Sequence, residues 1–347
     1  LHLGGGTPTF FSPESLASLM QGLERLTQKM PDSQFSFEGH PNNTTKMHLQ
    51  TLYSFGFRSV CFGVQDYNIR VQKAIHRVQP FKNVKNVTEW AREIGYTSIG
   101  HDIIYGLPFQ SLSDVKTTLA KTAMLVPDRI AFYSYAHVPW RKGNGQRGFE
   151  DSDLPSATAK KIHYETGKTL LKQQGYLDIG MDHFAYPEDS LALAAKKGKL
   201  HRNFMGYTAS KTGLLLGLGV SSISDSWTGF AQNVKSIEAY EHLVTHNIFP
   251  LDRGHILTEK DLCIRKHILD LMCRFQTSWN DLEDYIPELE SITKRLEVME
   301  ADGLVKISPK KLQVTLKGRP FIRNICMAFD LYLHKQKMET PLFSMTI

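Results

Sequence analysis

The amino-acid sequence predicts an α/β fold: a parallel sheet or βα barrel in the first part of the chain, followed by a mostly helical part. Strand-like and amphipathic helical runs alternate through the first 136 residues, the pattern of parallel strands joined by crossover helices. Each strand-like run also ends, at its C-terminal end, in polar residues or glycine. Beyond residue 156 the alternation is lost and helical periodicity takes over.

Taken in order, Leu1-His2-Leu3 reads as the tail of a strand running into Gly4-Gly5-Gly6, so the chain is expected to be a fragment whose N-terminal part is missing. Ser12 is placed to cap a helix with Pro13 at its first position. Leu16, Leu19, Met20, Leu23 and Leu26 then fall on one helical face. Phe35 and Phe37 alternate in a short strand ending at Glu38. A helix over Thr45–Ser54 stops at Gly56, and Arg58–Gly63 is the next strand. Val84, Val87, Ala91 and Ile94 mark a helix ended by Gly95, and Ser98–Ile104 is strand-like. Val115, Leu119, Ala123 and Val126 make another helical face, and Arg129–Tyr135 is the fifth strand.

The strand ends supply Gly4-Gly5-Gly6-Thr7, Glu38, Gln65-Asp66, Asp102 and Ala136-His137. In a βα barrel these ends open onto one face, and in a doubly wound sheet onto one edge. Either way they converge on a site. Residues 138–156, with Trp140-Arg141-Lys142-Gly143-Asn144-Gly145, read as an exposed linker or lid. Three segments are therefore expected: a barrel over 1–137, a linker or lid over 138–156 and a C-terminal domain over 157–347. The last carries helical runs at Ala157–Gln174, Ser236–His246, Glu259–Phe275 and Ile286–Ala301. Leu304–Ile307 and Leu312–Leu316 add a small hairpin, giving its end a winged-helix outline.

Composition narrows the function classes. The 347 residues are 41% hydrophobic and 22% charged, ordinary globular usage that excludes disorder, coiled coil and collagen-like structure. No run approaches the roughly 18 apolar residues of a membrane span, and no charged-then-apolar leader opens the chain. No membrane partner is expected. A net charge of +6 is small and spread along the chain, so it permits nucleic acid without indicating it. The helix leading into the hairpin sets Glu288, Glu290, Glu297 and Glu300 against Lys294 and Arg295. That face would repel a phosphate backbone, so no nucleic-acid partner is expected and a lid or cap fits better. Cys61, Cys263, Cys273 and Cys326 are scattered through apolar contexts and read as buried, reduced, cytoplasmic thiols.

Gly4-Gly5-Gly6-Thr7-Pro8 follows a strand and precedes a helix. Bare glycines there either let backbone N–H groups approach a carboxylate or phosphate or satisfy a tight turn needing positive φ. Glu38 and Asp102 are carboxylates at strand ends, and a buried carboxylate is costly unless paired or bound. A structural ion pair would explain them as well as a ligand. Gly217-Leu218-Gly219, with Ser222 where a dinucleotide loop wants glycine, reads as a structural turn. His101, His137, His183 and His201 show no zinc spacing.

The order of Gly4-Gly5-Gly6-Thr7-Pro8, Gly63-Val64-Gln65-Asp66, His76-Arg77, Asp102-Ile103-Ile104-Tyr105-Gly106-Leu107-Pro108 and Tyr135-Ala136-His137 resembles radical S-adenosylmethionine enzymes of the coproporphyrinogen group. Gly180-Met181-Asp182-His183-Phe184-Ala185, His201-Arg202-Asn203-Phe204, Gly206-Tyr207-Thr208, Gly219-Val220-Ser221-Ser222-Ile223-Ser224 and Arg323-Asn324-Ile325-Cys326 resemble the oxygen-independent coproporphyrinogen III oxidase family in particular. The similarity runs through essentially the whole chain. A heme-chaperone branch shares the barrel motifs but typically lacks the Met-Asp-His run and the Arg-Asn-Ile-Cys tail.

The resemblance implies a partial (β/α)6 barrel, here without its first strand, and a mostly helical C-terminal domain. It implies a [4Fe–4S] cluster held by a CxxxCxxC motif expected upstream of Leu1, so that this chain has no metal ligands of its own and is inactive alone, or serves only to bind porphyrinogen or S-adenosylmethionine. It implies oxidative decarboxylation of two propionates of coproporphyrinogen III to vinyls by a 5′-deoxyadenosyl radical, giving protoporphyrinogen IX in heme biosynthesis. Two S-adenosylmethionine molecules are implied. Gly5, Gly6 and Thr7 would present backbone groups to the methionine moiety, Glu38 would hold the first cofactor, and Ile223 would close over it. Gln65, Arg77, Asp102 and Ala136 would line the second, and Arg141 and Lys142 would help recruit the substrate. A flavodoxin-like electron donor, a monomer and a cytoplasmic location are further implied. No catalytic residue is assigned.

Overall fold

A computed structural model describes residues 1–138, 149–279 and 285–335. The described residues form two compact units, one over Leu1–Ala192 and one from Leu193 to residue 335.

In the first unit, five parallel strands follow one another across a single sheet: β1 (His2–Leu3), β2 (Ser36–Gly39), β3 (Ser59–Gln65), β4 (Ser98–Tyr105) and β5 (Arg129–Ser134). The crossover helices are α1 (Pro13–Leu26), α2 (Lys46–Ser54), α3 (Ile69–Ala74), α4 (Phe81–Ile94) and α5 (Leu112–Ala123). Their ends follow local chemistry. Ser12 Oγ accepts from Ser15 N at 3.2 Å with Pro13 at the first position, Thr45 and His48 cap one another at the start of α2, and Gly95 closes α4 at φ 110°. Leu16 and Met20 of α1 are buried with Phe37, Val60, Phe62 and Ile99 of the sheet. Each such side chain contributes roughly 1.5–3 kcal/mol by leaving water.

Side chains alternate along a strand, and the alternation divides this sheet. Phe37, Val60, Phe62, Val64, Ile99, Ile103, Ile130 and Phe132 enter the core beneath the helices. Glu38, Cys61, Gly63, Gln65, Asp102 and Tyr133 alternate with them and occupy the other face. A parallel sheet normally buries apolar residues on both faces, so a polar second face needs a functional reason.

The sheet does not end at β5. Beyond α6 (Ala157–Gln173), β6 (Leu177–Gly180) and β7 (His183–Ala185) form an antiparallel pair, and β7 pairs antiparallel with β5. Tyr164 and Leu171 of α6 join the core of β4 and β5. The expected domain start at residue 157 thus falls within the first unit, because α6, β6 and β7 complete its sheet and core. A glycine permits this packing: a Cβ on Gly167 would lie 2.3 Å from Phe132 Cε1. Gly167→Ala should therefore cost about 1–3 kcal/mol by overpacking, outweighing the roughly 1 kcal/mol that alanine gains in a helix. Urea denaturation checks this, and a variant as stable as the parent would show that the ring yields freely.

In the second unit, reached through α7 (Ser190–Lys196), β8 (His201–Asn203) and β9 (Gly206–Thr208) form a hairpin. β10 (Ile223–Asp225), β11 (Gly229–Asn233) and, after α8 (Ile237–Thr245), β12 (Leu251–Ile256) form an antiparallel sheet. The winged-helix outline is present as α9 (Glu259–Arg274), β13 (Gln276–Ser278), α10 (Glu288–Ala301), β14 (Val305–Ser308) and β15 (Lys311–Val314), in the strand order β13-β15-β14. Short helices α11 (Ile322–Met327) and α12 (Leu331–Lys335) follow. No helix among the described residues is long and apolar enough to cross a membrane.

The expectation of four thiols buried in apolar contexts needs correction. Cys263 and Cys326 are buried, but Cys61 and Cys273 are only partly so, and Cys61 faces a carboxylate.

Candidate active site

The glycine run leaves β1 with Gly4 held close against His2: a Cβ there would meet His2 Nε2 at 2.5 Å and Glu38 Oε1 at 3.2 Å. Gly5 and Gly6 have φ of 81° and 151° and border open space. The turn itself thus calls for glycine, and its exposed edge is free to meet a ligand. Thr7 starts the short 3-10 helix Pro8–Phe10 without a side-chain cap. On β2, Glu38 Oε1 lies 3.7 Å from His2 Nε2.

The end of β3 is irregular. Its register to β4 shifts between Gly63 and Gln65, and Gln65 has φ 67°. Two side chains lie over bare Gly63, where a Cβ would come 2.6 Å from Arg77 Nη2 and 2.7 Å from Gln65 Nε2. Arg77 Nη2 donates to Gly63 O at 2.9 Å and Gln79 Nε2 donates to the same oxygen at 3.1 Å. Arg77 Nε is buried without a hydrogen-bond partner among the described residues. Burial lowers the Arg77 pKa, and the nearby Asp102 opposes that shift. An anion beside this guanidinium would relieve its desolvation.

Asp102 sits in register between Gly63 of β3 and Ala131 of β5. Its Oδ1 accepts from Cys61 Sγ at 3.2 Å. Burial pushes its pKa up to about 6; Glu38 adds to the rise, while the Cys61 bond and Arg77 counter it. Ala136 lies just past β5, exposed, where Tyr135 N extends the pairing by donating to Tyr105 O at 2.8 Å. His137 Nε2 is 2.8 Å from Asp151 Oδ1.

The sheet therefore gathers Gly5, Gly6, Thr7, Glu38, Gln65 and Ala136 at the C-terminal ends of its strands. Arg77, from the segment after α3, lies over Gly63. Asp102, expected at a strand end, lies inside β4 because that strand runs on to Tyr105. Ile223 belongs to the second unit, at the start of β10 and paired with Gln232. Arg141 and Lys142 lie outside the described residues. The sequence reading gave no place in the site to Cys61, Gly63, Gly100 or the Tyr133–His183 pair (Tyr133 Oη to Nε2, 3.0 Å). His101 is fully buried against Thr88 Oγ1 at 3.0 Å, and burial lowers its pKa to about 3, as suits a neutral structural histidine. Gly217 and Gly219 offer their carbonyls to Asn233 Nδ2 at 3.2 and 2.9 Å, which ties this turn to β11.

No group of three or more His, Cys, Asp or Glu side chains among the described residues could hold a metal ion. The four cysteines lie far apart in sequence, without CxxxCxxC spacing. The residues present do not fit a [4Fe–4S] cluster. Bare glycines, a carboxylate acceptor at Glu38 and an incompletely bonded guanidinium at Arg77 do fit an amino-acid-bearing ligand such as S-adenosylmethionine.

Residues 1–121 match the Radical SAM superfamily, whose members use S-adenosylmethionine and a [4Fe–4S] cluster. The oxygen-independent coproporphyrinogen III oxidase of Escherichia coli (strain K12) is 41% identical over 356 residues, spanning 100% of this chain and 77% of the relative. That of Synechocystis is 38% identical over 356 residues, spanning 100% of this chain and 76% of the relative. The solved structure of coproporphyrinogen III oxidase from Escherichia coli, described as a radical SAM enzyme, superposes with a TM-score of 0.91 at 40% identity, over 96% of this chain and 77% of that one.

Proposed function

The chain belongs to the oxygen-independent coproporphyrinogen III oxidase family of the radical SAM superfamily, and from that premise we propose that its first unit binds S-adenosylmethionine on the polar sheet face for the oxidative decarboxylation of coproporphyrinogen III. Two propionates become vinyls, giving protoporphyrinogen IX in heme biosynthesis. The observation that carries this reading is the gathering of Glu38, Arg77 and Asp102 with the open glycine turn on one sheet face.

S-adenosylmethionine would supply hydrogen abstraction from an unactivated propionate C–H bond only after one-electron reductive cleavage, for which the reductant must come from outside these residues. The residues of this chain bind and orient it. Backbone N–H groups at Gly5, Gly6 and Thr7 face the carboxylate of the methionine moiety. Glu38 accepts from its ammonium group. A second S-adenosylmethionine is proposed beside Gln65, Arg77, Asp102 and Ala136: the Arg77 fork engages its carboxylate and ionised Asp102 accepts from its hydroxyls. These residues do not supply ligands for an iron–sulfur cluster. A flavodoxin-like electron donor and a monomeric state complete the proposal.

The test is calorimetric titration of S-adenosylmethionine into this chain, followed by anaerobic binding of coproporphyrinogen III. Binding of both is expected. Glu38→Gln keeps the shape and loses the charge, so it should weaken S-adenosylmethionine about tenfold with little change in Tm. Unaltered affinity would remove Glu38 from the site. Absence of any S-adenosylmethionine binding would overturn the reading, and retention of heme in preference to coproporphyrinogen III would favour the heme-chaperone branch.

A further inference from the structure

Asp102 is oriented by a neighbour that the ligand set does not include. In the sheet register Cys61 lies opposite Gly100, and Asp102 lies opposite Gly63. Cys61 therefore reaches Asp102 along a diagonal, over the backbone of Gly100. Glycine is what allows this: a Cβ at position 100 would stand 2.9 Å from Cys61 Sγ. Strand glycines commonly mark such close approaches. The result is a thiol 3.2 Å from Asp102 Oδ1.

We infer that Cys61 is a positioning residue for the S-adenosylmethionine site: its S–H donates to Asp102 Oδ1 and turns Oδ2 to the ligand's hydroxyl groups. The inference rests on the proposed contact between Asp102 and S-adenosylmethionine. A thiol is a weak donor to a neutral acceptor, but an ionised carboxylate strengthens the bond. Burial, and then the Asp102 charge, hold the Cys61 pKa well above that of an ordinary thiol, so the proton stays available for donation. The charged groups around the pair are Glu38 on β2, Arg77 after α3 and Arg129 on β5, and Arg129 is itself engaged with Asp189 at 2.7 Å.

Isothermal titration of S-adenosylmethionine into this chain and its variants tests the inference. Cys61→Ala should bind about fivefold more weakly, and Cys61→Ser, which restores a donor, should stay within about twofold of the parent. In an Asp102→Asn background, Cys61→Ala should change nothing further. The pH at which affinity is half lost should also move up in Cys61→Ala, because a lost donor disfavours the ionised carboxylate. Gly100→Ala, whose methyl displaces the thiol without removing it, gives a second route should Cys61→Ala fold poorly, and it should weaken binding in the same way. Parent-like affinity in Cys61→Ala, failure of serine to rescue, or an equal loss in the Asp102→Asn background would each overturn the inference. If Asp102→Asn alone leaves affinity unchanged, or no protein binds, the site reading itself has failed.

Discussion

Arg77→Ala should weaken S-adenosylmethionine binding by about a hundredfold, corresponding to roughly 3 kcal/mol within the range for truncating a partly buried, hydrogen-bonded charge. Arg77 is held over Gly63 by one donated hydrogen bond, while its buried Nε has no partner among the described residues. The guanidinium has therefore lost water without full replacement, and a ligand carboxylate completes its shell. Arg77→Lys should recover only part of the loss, because an ammonium keeps the charge but not the planar fork. A second signature is expected in pH. Burial raises the Asp102 pKa to about 6 even with Arg77 holding it down, and ionised Asp102 accepts from ligand hydroxyls. Affinity should fall as the pH drops through about 6 in the parent protein, and at a higher pH in Arg77→Ala. Titration calorimetry between pH 5 and 8 reads both effects, and affinity within twofold of the parent at neutral pH would show that Arg77 faces no ligand.

The residues legible in the sequence share one property: their meaning is local. Ser12, Gly95 and the i, i+3, i+4 faces of α1 and α4 declare themselves within a few positions. Glu38 and Asp102 are visible because each follows alternating apolar residues, although Asp102 lies inside β4 and not at its end, which is Tyr105. What escaped depends on register or brevity. Cys61 matters only because Gly100 stands opposite it and Asp102 lies on the diagonal, and neither strand alone contains that fact. α3, over Ile69–Ala74, is too short for a helical period to emerge. β6 and β7 are hidden by a turn whose Met181 and Asp182 both take positive φ, 41° and 68°, which neither residue type announces. The continuation of the first unit past residue 157 is hidden for the same reason, since the strands that carry it are three and four residues long.

Asp66→Ala should cost about 3 kcal/mol of stability. Asp66 is fully buried, directly after Gln65. Its Oδ1 accepts from Asn68 N at 2.6 Å, and its Oδ2 accepts from Gln110 Nε2 at 2.7 Å and Thr118 Oγ1 at 3.2 Å. Gln110 Oε1 in turn accepts from Gly106 N at 2.7 Å, so one carboxylate ties the mouths of β3 and β4 to α5. Alanine would strand these donors in a dry interior. Asp66→Asn would turn an amide donor toward the Gln110 donor, with a loss of about 1–2 kcal/mol. Burial raises the Asp66 pKa above 3.8, the three donors opposing. A raised folded value means that the folded chain holds the proton more tightly than the unfolded one. The associated stability is complete below 3.8 and is lost as the pH rises through the folded value. The gap between parent and Asp66→Ala should therefore widen as the pH is lowered toward 4. Urea denaturation at several pH values measures that gap, and a loss below 1 kcal/mol at neutral pH would show that water enters to replace the carboxylate. The same variant should also bind S-adenosylmethionine less tightly, because Gln65 and Arg77 flank the loop that Asp66 anchors.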